Sequence, residues 1–170
     1  PAVSRFHRFA MAALAVTGLP GLMVSDLEIG HTGPCYTFDT LARVHGTGLG
    51  AAQIFFITGA DAFAEIATWS RYPQVLEMAQ FVVVSRPGHP ASALAGKLPA
   101  LAARMTQPAA HRSTTGDKPA QDANVAGNSL KVLLVDAQTT DVSSTEVRRR
   151  LASAEAITGL VPTAVETYIG

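Results

Sequence analysis

Three short apolar runs limit what this chain can fold into: "QIFFIT" at 53–58, "FVVVSR" at 81–86 and "KVLLVD" at 131–136. Each is dominated by β-branched or aromatic residues, is too short for a buried helix, and runs into glycine, proline or aspartate. They read as strands, with 53–58 buried on both faces as in the middle of a parallel sheet. The stretches between and around them have helical character. Strands alternating with helices specify an α/β domain with a mostly parallel sheet and right-handed crossovers.

The remaining elements follow from period and punctuation. Residues 4–16 read as a helix, with Phe6, Phe9, Ala13 and Val16 at helical spacing. "LMVSDLEI" at 22–29 reads as a further strand. "YTFDTLARV" reads as a helix capped by Thr37, and "HGTGLG" at 45–50 as the turn that ends it. The glycines of that turn do not fit a dinucleotide-binding fingerprint, and they follow a helix where a phosphate cradle follows a strand. "GADAFAEIATW", "PQVLEMA" and "ASALAGKLPALAARM" read as helices, and "VPTAVETYI" as a closing helix opened by Pro162. Residues 106–128 are rich in Ser, Thr, Gly, Pro, Asn and Gln and read as a long loop or a disordered insertion.

The 170 residues are read as one domain, residues 1–170, with 48% hydrophobic and 15% charged residues. Thirteen basic residues balance thirteen acidic ones, so net charge gives no reason to expect nucleic acid or an anionic membrane as partner. Any anion site must be local. The single cysteine, Cys35, forms no internal disulfide, which fits a reducing cytoplasmic setting. "RFHRFAMAALAVTGLPGLMV" has basic residues ahead of an apolar stretch, but Gly18, Pro20 and Gly21 break it too early to span a bilayer. The five histidines are scattered without metal-ligand spacing and are expected in solvated loops.

In parallel α/β sheets ligands bind beyond the carboxyl ends of the strands. The positions of interest are therefore Gly59 to Asp61, Ser85 to Gly88, and Asp141 to Arg148. Gly59 would let the backbone approach a ligand, and Asp61 would accept from a substrate hydroxyl or cap the next helix. Arg86 stands at a strand end and must point outward. Trp69, the only tryptophan, is either a core filler or a site wall. In "DVSSTEVRRRL", Ser143 and Glu146 have capping-box spacing, yet Arg148, Arg149 and Arg150 follow where the helix dipole favours acids. A phosphate at this helix start would receive backbone bonds, hydroxyl bonds and the Arg148 guanidinium fork together. Arg149 and Arg150 read as a solvated face.

Taken in order, "RFHRFAMAALA", "VSDLEIGHTGPCYTFDTL", "FFITGADAFAEIATW", "FVVVSRPG", "DVSSTEVRRRL" and "GLVPTAVETYI" resemble the bacterial nicotinate-nucleotide adenylyltransferases. These are members of the nucleotidyltransferase superfamily, with a Rossmann-like fold. The resemblance covers nearly the whole chain outside 106–128. It implies transfer of the adenylyl group of ATP, with Mg²⁺, to nicotinate mononucleotide, giving deamido-NAD and pyrophosphate in NAD biosynthesis. Ser144, Thr145 and Arg148, with Gly59, would then serve ATP. Trp69 would stack on the pyridine ring, Tyr36 and Thr37 would line its pocket, Asp61 would hold it in shape, and Arg86 would lie on the rim.

The family's opening strand and its Gly-rich turn ending in a Gly-His pair have no counterpart here, and Cys35 stands where a serine is usual before the Tyr-Thr pair. The expectation is a chain that starts some tens of residues into the family pattern, lacking the first strand, the first helix and the phosphate-contacting histidines. Two readings compete with an active enzyme of this kind: an inactive nucleotide-binding fragment, and a plain α/β domain whose Ser-Ser-Thr box is only a cap. Among enzymes the competitor is a pantetheine-phosphate adenylyltransferase, and the "YTFDTL" and "GADA…W" stretches favour the pyridine substrate.

Overall fold

In the computed structural model, which describes residues 3–107 and 130–170, the first two apolar runs lie side by side. The elements in chain order are α1 (Arg5–Val16), α2 (Thr37–His45), β1 (Phe55–Gly59), α3 (Ala60–Ala64), β2 (Gln80–Val84), α4 (Leu94–Lys97), β3 (Met105–Thr106), β4 (Val132–Val135), α5 (Ser144–Ala152) and α6 (Thr163–Ile169). Among the described residues, four strands form one all-parallel sheet in the order β1-β2-β4-β3. The expected α/β class holds. The chain divides into two compact units: a sheet unit, Tyr36–Thr139, and a helical unit, Pro1–Cys35 with Thr140–Gly170.

The sheet unit is organised by strand alternation. Phe81 and Val83 of β2 and Val132 and Leu134 of β4 are buried on one face. They share a core with Phe63 of α3, Leu94 of α4, and Ile66, Val75, Leu76 and Leu101 from short 3₁₀ turns. Burying each side chain of this size contributes roughly 1.5–3 kcal/mol. A smaller cluster joins Leu41 of α2 to Ile54 and Ala79. His45, at the last residue of α2, has both ring nitrogens at hydrogen-bond distance from backbone carbonyls, those of Leu49 and Met78. It closes the turn at 45–50.

Several expectations are corrected. Among the described residues β1 is an edge strand, not one buried on both faces: Phe55 and Ile57 are 54% and 68% exposed. Apolar strand chemistry selected the conformation, but position in the sheet decided the burial. Residues 22–29 form turns and extended chain without a ladder, because a strand exists only where a neighbour satisfies its backbone groups. The helix expected over 91–105 breaks into 3₁₀ turns around a short α4, since Pro99 removes a backbone donor. Residues 74–77 are likewise a 3₁₀ turn. Tyr36, not Thr37, is the N-cap of α2, and Thr37 is its first helical residue. Thr106, read as the start of the long loop, pairs in β3, and residues 108–128 of that loop lie outside the described residues. His7 and His45 are helical rather than in loops, and His111 lies outside the described residues.

The helical unit is held differently. α1 is capped by Ser4, whose hydroxyl accepts from the His7 backbone N–H at 3.3 Å, and α1 packs on α6. Neither α1 nor α5 has a buried residue, whereas Val165 of α6 is buried. The expected helices at 4–16 and after Ser143, and the Pro162-opened closing helix, are all present.

Candidate functional site

The carboxyl end of the sheet gathers three of the singled-out residues. Parallel pairing places Gly59 opposite Val84, so the chain leaves β1 and β2 at one level. Asp61, in the first turn of α3, and Arg86, just past β2, then meet with Nη1 3.7 Å from Oδ2. Both are substantially exposed, so the pair adds little stability and serves to aim the guanidinium. Gly59 makes the arrangement possible. A Cβ there would collide with the Asp61 carboxylate and come within 3.1 Å of the Arg86 stem. Arg86 is further fixed by reciprocal backbone bonds with His89 across a turn in which Gly88 takes φ +78°.

Two residues beneath this rim hold the strand ends in place. Ser85 is 7% exposed; its hydroxyl donates to the Ala137 carbonyl at 2.8 Å and accepts from the Ala137 N–H at 2.9 Å, tying β2 to the end of β4. Asp136 accepts from the Ala91 N–H at 2.8 Å. The Ser92 hydroxyl holds its carboxyl below the usual range; burial opposes it more weakly, and the backbone N–H groups of Ala91 and Ser92 add to the lowering. Asp136 escaped sequence reasoning, although a carboxylate directly after a buried strand occupies the kind of position that singled out Arg86.

Trp69 is half-buried. Its ring meets Phe56 edge-on at 6.1 Å and Phe81 at 6.5 Å, so it flanks the core without being enclosed by it. Phe38 of α2 packs on the same core, and the Arg71 guanidinium sits 4.7 Å over the Phe38 ring. Tyr36, 49% exposed, and Thr37 open α2 directly before Phe38. The sheet unit therefore carries Tyr36, Thr37, Gly59, Asp61, Trp69 and Arg86.

Ser144, Thr145 and Arg148 belong to the helical unit, at the start of α5. Ser143 is the N-cap, and its hydroxyl accepts from the Glu146 N–H at 3.1 Å. Only this half of the expected capping box forms. The Glu146 carboxylate turns instead to Arg149 and Arg150, with bonds of 2.7–2.8 Å, and Glu155 takes Arg149 from its other side. Hydrogen bonds from Arg149 and then Arg150 pull the Glu146 carboxyl down to about 2. Arg149 and Arg150 are thus paired with carboxylates of α5 and of the segment just after it. Arg148 is different: its guanidinium donates to the Ser144 hydroxyl at 3.1 Å, and it has no carboxylate partner among the described residues. Thr145 is exposed beside it in the first helical turn. Arg148 and Ser144 line a cavity of about 750 Å³ with Ser143 and aliphatic side chains of α1, α5 and α6.

Residues 1–150 match the cytidylyltransferase-like family. The chain belongs to that family. Among curated relatives of this cytidylyltransferase-like chain, a protein of Roseiflexus sp. is 36% identical over 165 residues, covering 96% of this chain and 68% of its own length. One from Desulfatibacillum aliphaticivorans is 31% identical over 176 residues, covering 99% and 74%. One from Acidothermus cellulolyticus is 35% identical over 166 residues, covering 95% and 65%. Each of the three bears the name "Probable nicotinate-nucleotide adenylyltransferase". No described helix of this cytidylyltransferase-like chain is long and apolar enough to cross a membrane.

Proposed function

We propose that this protein transfers the adenylyl group of ATP to nicotinate mononucleotide, releasing pyrophosphate and forming deamido-NAD, in the cytoplasm. The observation that carries the reading is the division of charge on α5. Two of its three consecutive arginines are satisfied by Glu146 and Glu155, and the third, Arg148, is bonded to a hydroxyl at the helix start. A guanidinium, a serine hydroxyl and the N–H groups of a helix N-terminus form a donor set suited to phosphate oxygens. The names of the relatives supply the substrate pair.

On this reading Ser144, Thr145 and Arg148 bind ATP, which arrives as its Mg²⁺ complex. Trp69 offers its uncovered ring surface to the pyridine, Tyr36 and Thr37 line that pocket, and Asp61 holds Arg86 on the rim. Gly59 contributes by leaving room for the Asp61–Arg86 pair. The nucleophile is the mononucleotide phosphate, already anionic, so the reaction asks the protein for positioning and charge neutralisation and not for a covalent residue.

The test is pyrophosphate release from ATP and Mg²⁺ with nicotinate mononucleotide, nicotinamide mononucleotide or phosphopantetheine offered separately, together with Trp69 fluorescence during titration of each acceptor. Turnover and a fluorescence change with nicotinate mononucleotide are expected. A response to phosphopantetheine alone would replace this reading with the pantetheine one.

A further inference from the structure

The α5 start is one side of a larger feature. The 750 Å³ cavity it lines is of the size that holds small ligands, and most of its wall is aliphatic: Met11 of α1, Val147 and Leu151 of α5, and Val161, Val165 and Ile169 from the closing segment. Phosphate recognition does not need such a wall. It is the environment expected for the flat, weakly polar part of a ligand whose anionic part lies at Ser144 and Arg148.

Two polar side chains in that wall are bonded to each other. His7 of α1 and Tyr168 of α6 lie 161 residues apart, with Nδ1 2.7 Å from the phenolic oxygen and ring centroids 5.9 Å apart. This bond engages one ring nitrogen and leaves Nε2 without a partner among the described residues. The tyrosine hydroxyl either donates or accepts, so it fixes the ring orientation while Nε2 takes the complementary role. Arg8, also in the wall, donates to the Val3 carbonyl at 2.6 Å.

We propose that His7, positioned by Tyr168, hydrogen-bonds the adenine base of ATP in the aliphatic part of this cavity and so selects the nucleotide whose phosphates lie at Ser144 and Arg148. The inference rests on the function proposed above. An adenine edge presents an amino donor beside ring-nitrogen acceptors, so it pairs with Nε2 in either tautomer. Apolar walls with a few placed polar groups are how cofactor sites obtain affinity and orientation separately.

The experiment measures direct binding of ATP, AMP and inorganic tripolyphosphate to the full chain and to His7→Ala, His7→Gln, Tyr168→Phe and Arg148→Ala, with melting curves for each. For His7→Ala the expected result is about a 3- to 10-fold weakening of ATP and AMP, the loss of one hydrogen bond, with tripolyphosphate unchanged. His7→Gln should recover part of the loss. Tyr168→Phe should weaken ATP less, and add little when combined with His7→Ala. Arg148→Ala should weaken tripolyphosphate and ATP alike. ATP binding that depends on Arg148 but not on His7 overturns this proposal and leaves the function standing. An equal loss of tripolyphosphate in His7→Ala also overturns it, because His7 would then act on phosphate. A chain that binds no ATP at all overturns the proposed function and this inference with it.

Discussion

The sheet unit and the helical unit hold their candidate residues by opposite means. Arg86 is placed by strand register, by a reciprocal Ser85–Ala137 tie and by a glycine that leaves room for it, all above a core in which Phe63 and Val83 are fully buried. Arg148 is placed by a helix with no buried residue, through a serine cap and a bond to the side chain one turn back. Disturbing the core beneath the first should therefore cost stability, and disturbing the second should cost binding. The difference teaches that the packing of the element beneath an exposed arginine tells which measurement will register its disturbance.

The most severe test of that contrast is Phe81→Ala. Phe81 is 1% exposed and meets Phe56, Phe63 and Trp69, so its truncation should lower stability by about 3–5 kcal/mol and lower the melting temperature. Arg148→Ala should do the reverse. It should leave the melting temperature nearly unchanged while weakening ATP by about 1.5–3 kcal/mol, as measured by calorimetry. A large melting shift in Arg148→Ala, with ATP affinity retained, would break the comparison.

Ser143→Ala sharpens it. Loss of the cap hydroxyl on the Glu146 N–H should destabilise α5 by about 0.5–2 kcal/mol and loosen Ser144 and Arg148 together, visible as faster amide exchange across the helix. The smallest effect is acidic. The Glu146 carboxyl lies at about 2 in the folded chain against an ordinary value of 4.5, because Arg149 and Arg150 hold its charged form. A carboxyl depressed on folding stabilises the fold above the ordinary value and loses that contribution as pH falls toward the folded one. Acidification from about pH 4.5 to about pH 2 should thus loosen α5 in the wild type, and the step should shrink in Glu146→Gln. Glu155, held below its usual range chiefly by Arg149, adds to the same step.

How much of this was legible beforehand follows the range over which each feature is determined. The strands in 53–58, 81–86 and 131–136, the helices after residue 4 and Ser143, and the polar positions after β1 and β2 are properties of neighbouring residues: β-branched runs, caps, prolines and periods of two or 3.6. The Ser143 cap was legible for the same reason. The fate of 22–29 was not, because its apolar residues specify a willingness to extend and no neighbour to extend against. Phe55 and Ile57 read as buried for a similar reason; strand order alone sent β1 to the edge.

The site divides along the same line. Residue types near strand ends and helix starts were chosen by the sequence itself, since Gly59, Asp61, Arg86, Ser144 and Arg148 each stand where a known backbone geometry turns a side chain or an N–H outward. Tertiary structure decided their partners. Asp61 and Arg86 are 25 residues apart by number and meet only because β1 and β2 pair in register, while His7 meets Tyr168 only because α1 packs on α6. Glu146 had two options within reach, its own N-cap backbone or the arginines three and four residues on, and it took the arginines. Local chain stiffness selects elements over a few residues. Which charge is left over for a ligand depends on every group that folding brings within about 4 Å, and short-range sequence pattern carries no record of that distance.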